Sequence, residues 1–151
     1  MRPEPAATWS LHPQLARDTK AIGDLPLSRV LISTDANYPW LLLAPRRASA
    51  SEIIDLADTE QTQLMAEIAH VARALKAVTA CDKLNIAALG NMVPQLHVHV
   101  IARRRGDAAW PRPVWGEVDA IAYDKAALDN FIETIRNKID FAQLQFDRKQ
   151  G

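Results

Sequence analysis

Cysteine is nearly missing from this chain: Cys81 is the only one among 151 residues. A lone thiol excludes an internal disulfide and any zinc site built on several cysteines, and it suits a reducing cytoplasm. Net charge is missing too, because 18 basic residues balance 18 acidic ones. Without an excess of either sign, no bulk field draws the chain to nucleic acid or to a membrane surface. Long apolar runs are also lacking. The longest, such as Trp40 to Ala44, fall far short of the roughly 20 residues that a bilayer-spanning helix needs. The N-terminal stretch Met1-Arg2-Pro3-Glu4-Pro5 has no apolar core of the kind a secretory signal carries. No repeat or low-complexity tract is present. The expectation is a soluble, cytoplasmic protein with neither nucleic acid nor membrane as partner.

What is present suits one globular domain. The chain is 48% hydrophobic and 24% charged, an ordinary balance, and at this length roughly 70% of the unfolded surface becomes buried. Residues 1–26 read as an N-terminal arm, 27–105 as the core and 106–151 as a C-terminal loop and helix. Within the arm, His12 to Asp18 suits a short helix with Pro13 in its first turn, punctuated by Gly23 to Pro26. Ser28 to Ser33 and Trp40 to Ala44 are β-branched or aliphatic runs flanking the turn-forming Asp35-Ala36-Asn37-Tyr38-Pro39, and read as an antiparallel pair.

Leu64, Ile68, Val71, Leu75 and Val78 recur with a 3.6-residue period and predict a long helix, capped by Asp58 with Gln61 three positions on. Strands are expected at Lys83 to Leu89 and Gln95 to Arg103, joined through a Gly90-Asn91 turn, with Pro94 at or just before the second strand. A second amphipathic helix follows from about Asp124, with Leu128, Phe131, Ile132, Ile135 and Ile139 facing inward; Phe141 to Gly151 extend it or fray. Strands and helices in blocks, without regular alternation, favour an antiparallel α+β fold.

Half of the four histidines fall in Gln95-Leu96-His97-Val98-His99-Val100-Ile101. Side chains alternate faces along a strand, so Gln95, His97 and His99 are expected on one face, about 7 Å apart, close enough for two imidazoles to serve one bound group. A His-x-His pair also has plainer readings: a polar pair bonded to its neighbours, or half of a metal site. No Cys or acidic residue lies nearby in sequence to complete a metal site. His12 and His70 read as structural or exposed. Arg103-Arg104-Arg105 and Arg46-Arg47 offer charge for a polyphosphate, Arg103 and Arg105 on the histidine face if the strand stays regular; exposed basic runs are more often simply solvated. Cys81 reads as a small buried residue.

The stretch Gln95 to Ile101 resembles the signature of the histidine triad (HIT) superfamily, His-x-His-x-His followed by apolar residues. Further similarity lies in Pro39-Trp40-Leu41-Leu42-Leu43-Ala44-Pro45, in the long helix, in a strand containing Asn85, and in Gly90-Asn91 where the family has Gly-Gln. The resemblance covers about residues 27–105. It implies a HIT-like fold, usually dimeric, that binds a purine nucleotide or dinucleotide and cleaves the bond to its α-phosphate through a nucleotidyl-histidine. His97 matches the nucleophile, with a backbone carbonyl fixing its tautomer. His99 matches the third histidine, beside the phosphate or handling a proton. Asn91, Gly90 and Asn85 match phosphate-side positions. No protein-bound cofactor is implied, although Mg²⁺ can accompany a polyphosphate substrate.

Three positions depart from that pattern. Gln95 replaces the first histidine, and an amide cannot titrate, which leaves it as an orienting group. Trp40 stands where many relatives have another histidine, and Met92 where a hydroxyl residue is common. Trp110 and Trp115 resemble a Trp-Pro segment that borders the substrate pocket in some relatives; packing against a partner subunit suits them equally. Two functions follow as expectations: hydrolysis or transfer at a nucleoside phosphate, phosphoramidate or dinucleoside polyphosphate, or a nucleotide-binding module without turnover that serves as sensor or interaction subunit.

Overall fold

The apolar runs on either side of the Asp35–Pro39 turn form the centre of the molecule. The computed structural model describes residues 7–142. Strands β2 (Ser28–Ser33) and β3 (Trp40–Pro45) pair antiparallel. Around them the sheet adds β1 (Thr19–Asp24), β4 (Lys83–Ala87) and β5 (Val98–Arg103) in the order β1-β2-β3-β5-β4, every pairing antiparallel. Helices α1 (Pro13–Asp18), α2 (Asp58–Thr79) and α3 (Lys125–Ile139) complete the α+β fold, with Pro13 in the first turn of α1. None of these helices is long and apolar enough to cross a membrane.

The period of two divides the sheet into two working faces. Val30, Ile32, Leu41, Leu43, Val98 and Val100 point to one side, where Leu64, Ile68, Val71 and Leu75 of α2 and Leu128, Ile135 and Ile139 of α3 close the main core. Leu31, Leu42 and Ala44 point to the other side, against Leu15 of α1 and Val93. Cys81 lies in the main core as a small buried residue. A buried carboxylate joins helix to sheet: Glu67 accepts from the backbone N–H groups of Leu27 (2.7 Å) and Ser28 (3.0 Å) and from the Gln63 amide.

Several boundaries differ from the sequence reading, each for a local reason. The N-terminal arm contains a strand that was not expected, because Thr19–Asp24 pairs along β2 as an edge strand. Ala57, not Asp58, is the residue preceding α2; Glu60 reaches back to accept from its N–H (3.2 Å), while Asp58 lies in the first turn, where its charge suits the helix dipole. Gln61 instead donates to the Leu56 carbonyl. Strand β4 ends at Ala87 and β5 begins at Val98, since the β3 and β4 ladders reach β5 only as far as Val98 and His99. Gln95 to His97 therefore lie outside the strand; Pro94 has no N–H to pair, and the Leu96 N–H bonds to the Ala50 carbonyl. Helix α3 stops at Ile139, after which Asp140 adopts a left-handed conformation, so Phe141 does not extend it but packs against the main core. The remainder of the expected tail, residues 143–151, lies outside the described residues.

Candidate active site

His97 stands just before β5, nearly buried, with Nδ1 2.7 Å from the Gln95 carbonyl oxygen. A carbonyl only accepts, so Nδ1 carries the proton and donates, and Nε2 is left with its lone pair. A bend at Gln95 supplies that carbonyl from two residues away. The bond thus fixes the Nδ1–H tautomer, in which His97 has one defined nucleophilic nitrogen, Nε2.

His99 is set in the opposite sense. Its ring lies 4.8 Å from that of His97, edge to face. The indole N–H of Trp40, on the neighbouring strand β3, donates to His99 Nδ1 at 3.0 Å. Trp115, carried by the loop after β5, covers His99 at 5.0 Å and Trp40 at 5.8 Å. Burial, and then the proximity of His97, lowers the pKa of His99 to about 4. It is neutral near pH 7, and with Nδ1 accepting, its single proton sits on Nε2.

Both histidines open on a cavity of about 770 Å³ that Gly90, Asn91, Trp40 and Trp115 also line. A smaller cavity of about 270 Å³, edged by Ile53, Ile54 and Gln95, meets it at Leu89, Gly90 and His97. Gly90 takes a positive φ of 83°, a turn conformation that glycine adopts without strain. It presents the exposed Asn91 to the larger cavity. His97, His99, Gly90 and Asn91 are thus brought together around one space.

Other expected site residues have different partners. The Gln95 amide faces the N-terminal segment, accepting from His12 N–H (2.9 Å) and donating to Ser10 O (2.8 Å). Its side chain orients that segment rather than His97. Asn85 lies on the histidine face but accepts from Arg103 (2.7 Å) and lines neither cavity. Arg103 shares the face as the period of two requires, yet it is 1% exposed and paired with Asp107 at 2.8 and 2.9 Å. Arg46 and Arg104 bond to backbone carbonyls and Arg47 to Glu60. None of these arginines reaches the cavities. His12 accepts from Gln14 N–H at the start of α1, and His70 bonds to the Ile139 carbonyl at the end of α3; both are structural. Among the described residues no group of three His, Cys, Asp or Glu is placed to hold a metal.

Two partnerships were not read from the sequence. The Trp40–His99 bond joins positions 59 apart, and only the adjacency of β3 and β5 reveals it. Asp107 follows Arg103 by four residues and accepts both arms of its guanidinium; the i, i+4 spacing was visible, but not that a loop would fold it back. Of the two loop tryptophans, Trp115 borders the cavity, whereas Trp110 packs beside the Arg103 guanidinium.

The sequence matches the family profile described as the HIT domain over residues 14–106. A histidine triad protein of known structure from Bradyrhizobium japonicum is 65% identical, with a TM-score of 0.87 over 88% of this chain and 99% of that one. A second, from Sinorhizobium meliloti, is 43% identical (TM-score 0.85, covering 87% and 97% of the two chains). A third, from Marinobacter aquaeolei, is 37% identical (TM-score 0.85, covering 88% and 97%). No functionally curated protein matches the sequence. By its fold, its His97-x-His99 centre and these likenesses, the chain belongs to the histidine triad family.

Proposed function

We propose that the protein hydrolyses or transfers a nucleotidyl group by attack of His97 Nε2 on an α-phosphate. The observation that carries this reading is the bond from His97 Nδ1 to the Gln95 carbonyl, which leaves Nε2 nucleophilic beside a cavity large enough for a nucleoside. Covalent catalysis divides one difficult displacement into two easier ones. Asn91 and the Gly90 turn are positioned to meet phosphate oxygens, where charge develops. His99 Nε2–H supplies a further donor.

The charged residues lining the two cavities are Asp18, Asp35 and Glu52, all acidic. That supports a purine nucleoside bearing one phosphate over a dinucleoside polyphosphate, whose Mg²⁺ would come with the substrate. Ile86, Leu89 and Met92 are exposed along β4 and the turn after it, which supports a homodimer as the working form; the chain's single cysteine suits the cytoplasm.

The test measures binding and product release on one preparation, using a nucleoside phosphoramidate, a nucleoside aryl phosphate and a dinucleoside polyphosphate. Product from wild type and none from His97→Ala is the expected outcome. Binding of all three without product from any would leave a nucleotide-binding sensor or interaction module as the function.

A further inference from the structure

We propose that Trp40 is a positioning residue that fixes His99 as a neutral Nε2–H donor, confining the site to α-phosphates whose leaving group departs as a weakly basic oxyanion. This rests on the reading of His97 as nucleophile. An indole N–H can donate but never accept. With Trp40 Nε1 3.0 Å from His99 Nδ1, a proton on Nδ1 would set one N–H against another. Trp40 has little freedom to give way, because its backbone is registered opposite Ile101 and its ring is flanked by Tyr38 and Trp115.

The titratable groups around His99 reinforce the arrangement. His97, on the segment leading into β5, is 4.8 Å away, and its own cation would oppose a second one. Asp18 of α1 and Asp35 of the β2–β3 connection line the same cavity, yet neither forms an ion pair with His99 among the described residues. Burial holds its pKa near 4, in keeping with the geometry. Gln95, turned toward Ser10 and His12, supplies no acid in place of the missing histidine.

The chemical consequence concerns the bond that breaks. His97 Nε2 forms a bond to phosphorus while the bond to the leaving group breaks and its electron pair departs with that group. An alkylamine needs a proton as it leaves, and a neutral imidazole N–H is far too weak an acid to give one near pH 7. A carboxylate or phenolate leaves as the anion and needs none. Water then replaces His97 at phosphorus and releases its proton to solvent, restoring the neutral imidazole. Throughout, His99 Nε2–H donates a hydrogen bond without transferring its proton.

Two measurements separate this inference from the function beneath it. Long-range ¹H–¹⁵N correlation spectra of labelled protein between pH 5 and 8 should show His99 neutral with its proton on Nε2 throughout. Trp40→Phe should release it to exchange tautomers and titrate. A wild-type His99 that carries its proton on Nδ1, or titrates between pH 6 and 7, overturns the proposal whatever the activity. The kinetic arm compares one nucleoside monophosphate joined to p-nitrophenol and to an alkylamine. At pH 7.5 the aryl ester should be cleaved about 100-fold faster or more, the scale attached to a missing acid. In Trp40→Phe the gap should narrow, with the amine substrate gaining rate as pH falls below 7. Equal wild-type rates overturn the leaving-group restriction. Cleavage of neither substrate, with the spectra as expected, overturns that restriction together with the proposed function while the Trp40 lock stands.

Discussion

At His99 one hydrogen bond sets the tautomer, while burial sets the stability. Its folded pKa of about 4 lies below the ordinary 6.5. As pH falls through 6.5 the unfolded chain takes up a proton that the native chain refuses until about pH 4. Stability is therefore highest above the unfolded pKa and declines as pH drops across that window, by about 3 kcal/mol in all. Urea denaturation at pH 7 and pH 4.5 should show the loss, and His99→Gln should remove most of the slope. Asp107 acts in a lower window. Arg103 and three backbone N–H groups hold its carboxyl to about 2, so its contribution persists to about pH 4 and is lost as pH falls toward 2. Gln95 shows where residue-level reading stopped short. Its amide was legible as a departure from the triad, but the atoms it serves lie 83 and 85 positions away. Gln95→Ala should cost about 1–3 kcal/mol through the two lost bonds. Faster hydrogen exchange at the His12 amide and through α1 would report it; unchanged protection there would contradict the role.

At the scale of elements, the strongest periodic signals became structure with small shifts of boundary. Ser28–Ser33 formed as read, and α2 buries the stripe read from its sequence, fully at Leu64, Ile68, Val71 and Leu75 and partly at Val78. Strand β1 was not legible, because Thr-Lys-Ala-Ile-Gly-Asp mixes charge and glycine in a short edge segment whose identity depends on pairing with β2. The start of β5 was misplaced for a related reason. Alternation continues through Gln95 and His97, but no neighbouring strand extends far enough to pair with them. That interruption is useful to the site, since it lets the Gln95 carbonyl turn toward His97 Nδ1. The loop after β5 depends on Asp107, which also accepts from the N–H groups of Arg104, Ala109 and Trp110. Asp107→Ala would leave the buried Arg103 unpaired, a loss of about 3–5 kcal/mol. Because this loop carries Trp115 over His99, nucleotide affinity should fall as well. A variant as stable as wild type by urea denaturation would show that the pair is not what holds the loop.

For the whole molecule, the sheet separates structural from chemical work. One face packs α2 and α3; the other carries His99 and opens onto the cavities. The fold was legible because hydrophobic spacing encodes which face is buried. The site was legible in part, since His97, His99, Gly90 and Asn91 converge as expected. The partners of Gln95, Asn85 and Arg103 depend on contacts that spacing does not encode. The proposed dimer has exposed apolar residues to draw on, Ile86, Leu89 and Met92 on and after β4 and Trp115 in the loop after β5. Light scattering at micromolar concentration should give twice the 16.8 kDa of one chain, and a monomer mass would contradict the dimer.

The central claim is that His97 Nε2 becomes bonded to phosphorus, and rapid acid quench with intact-mass measurement tests it most directly. After mixing with a nucleoside p-nitrophenyl phosphate, wild type should carry one transient nucleotidyl mass on the peptide containing His97. His97→Ala should carry none, and His99→Ala should change the rate at which the adduct forms. Product released steadily from wild type with no adduct at any quench time, or an adduct that survives in His97→Ala, would contradict the covalent role of His97.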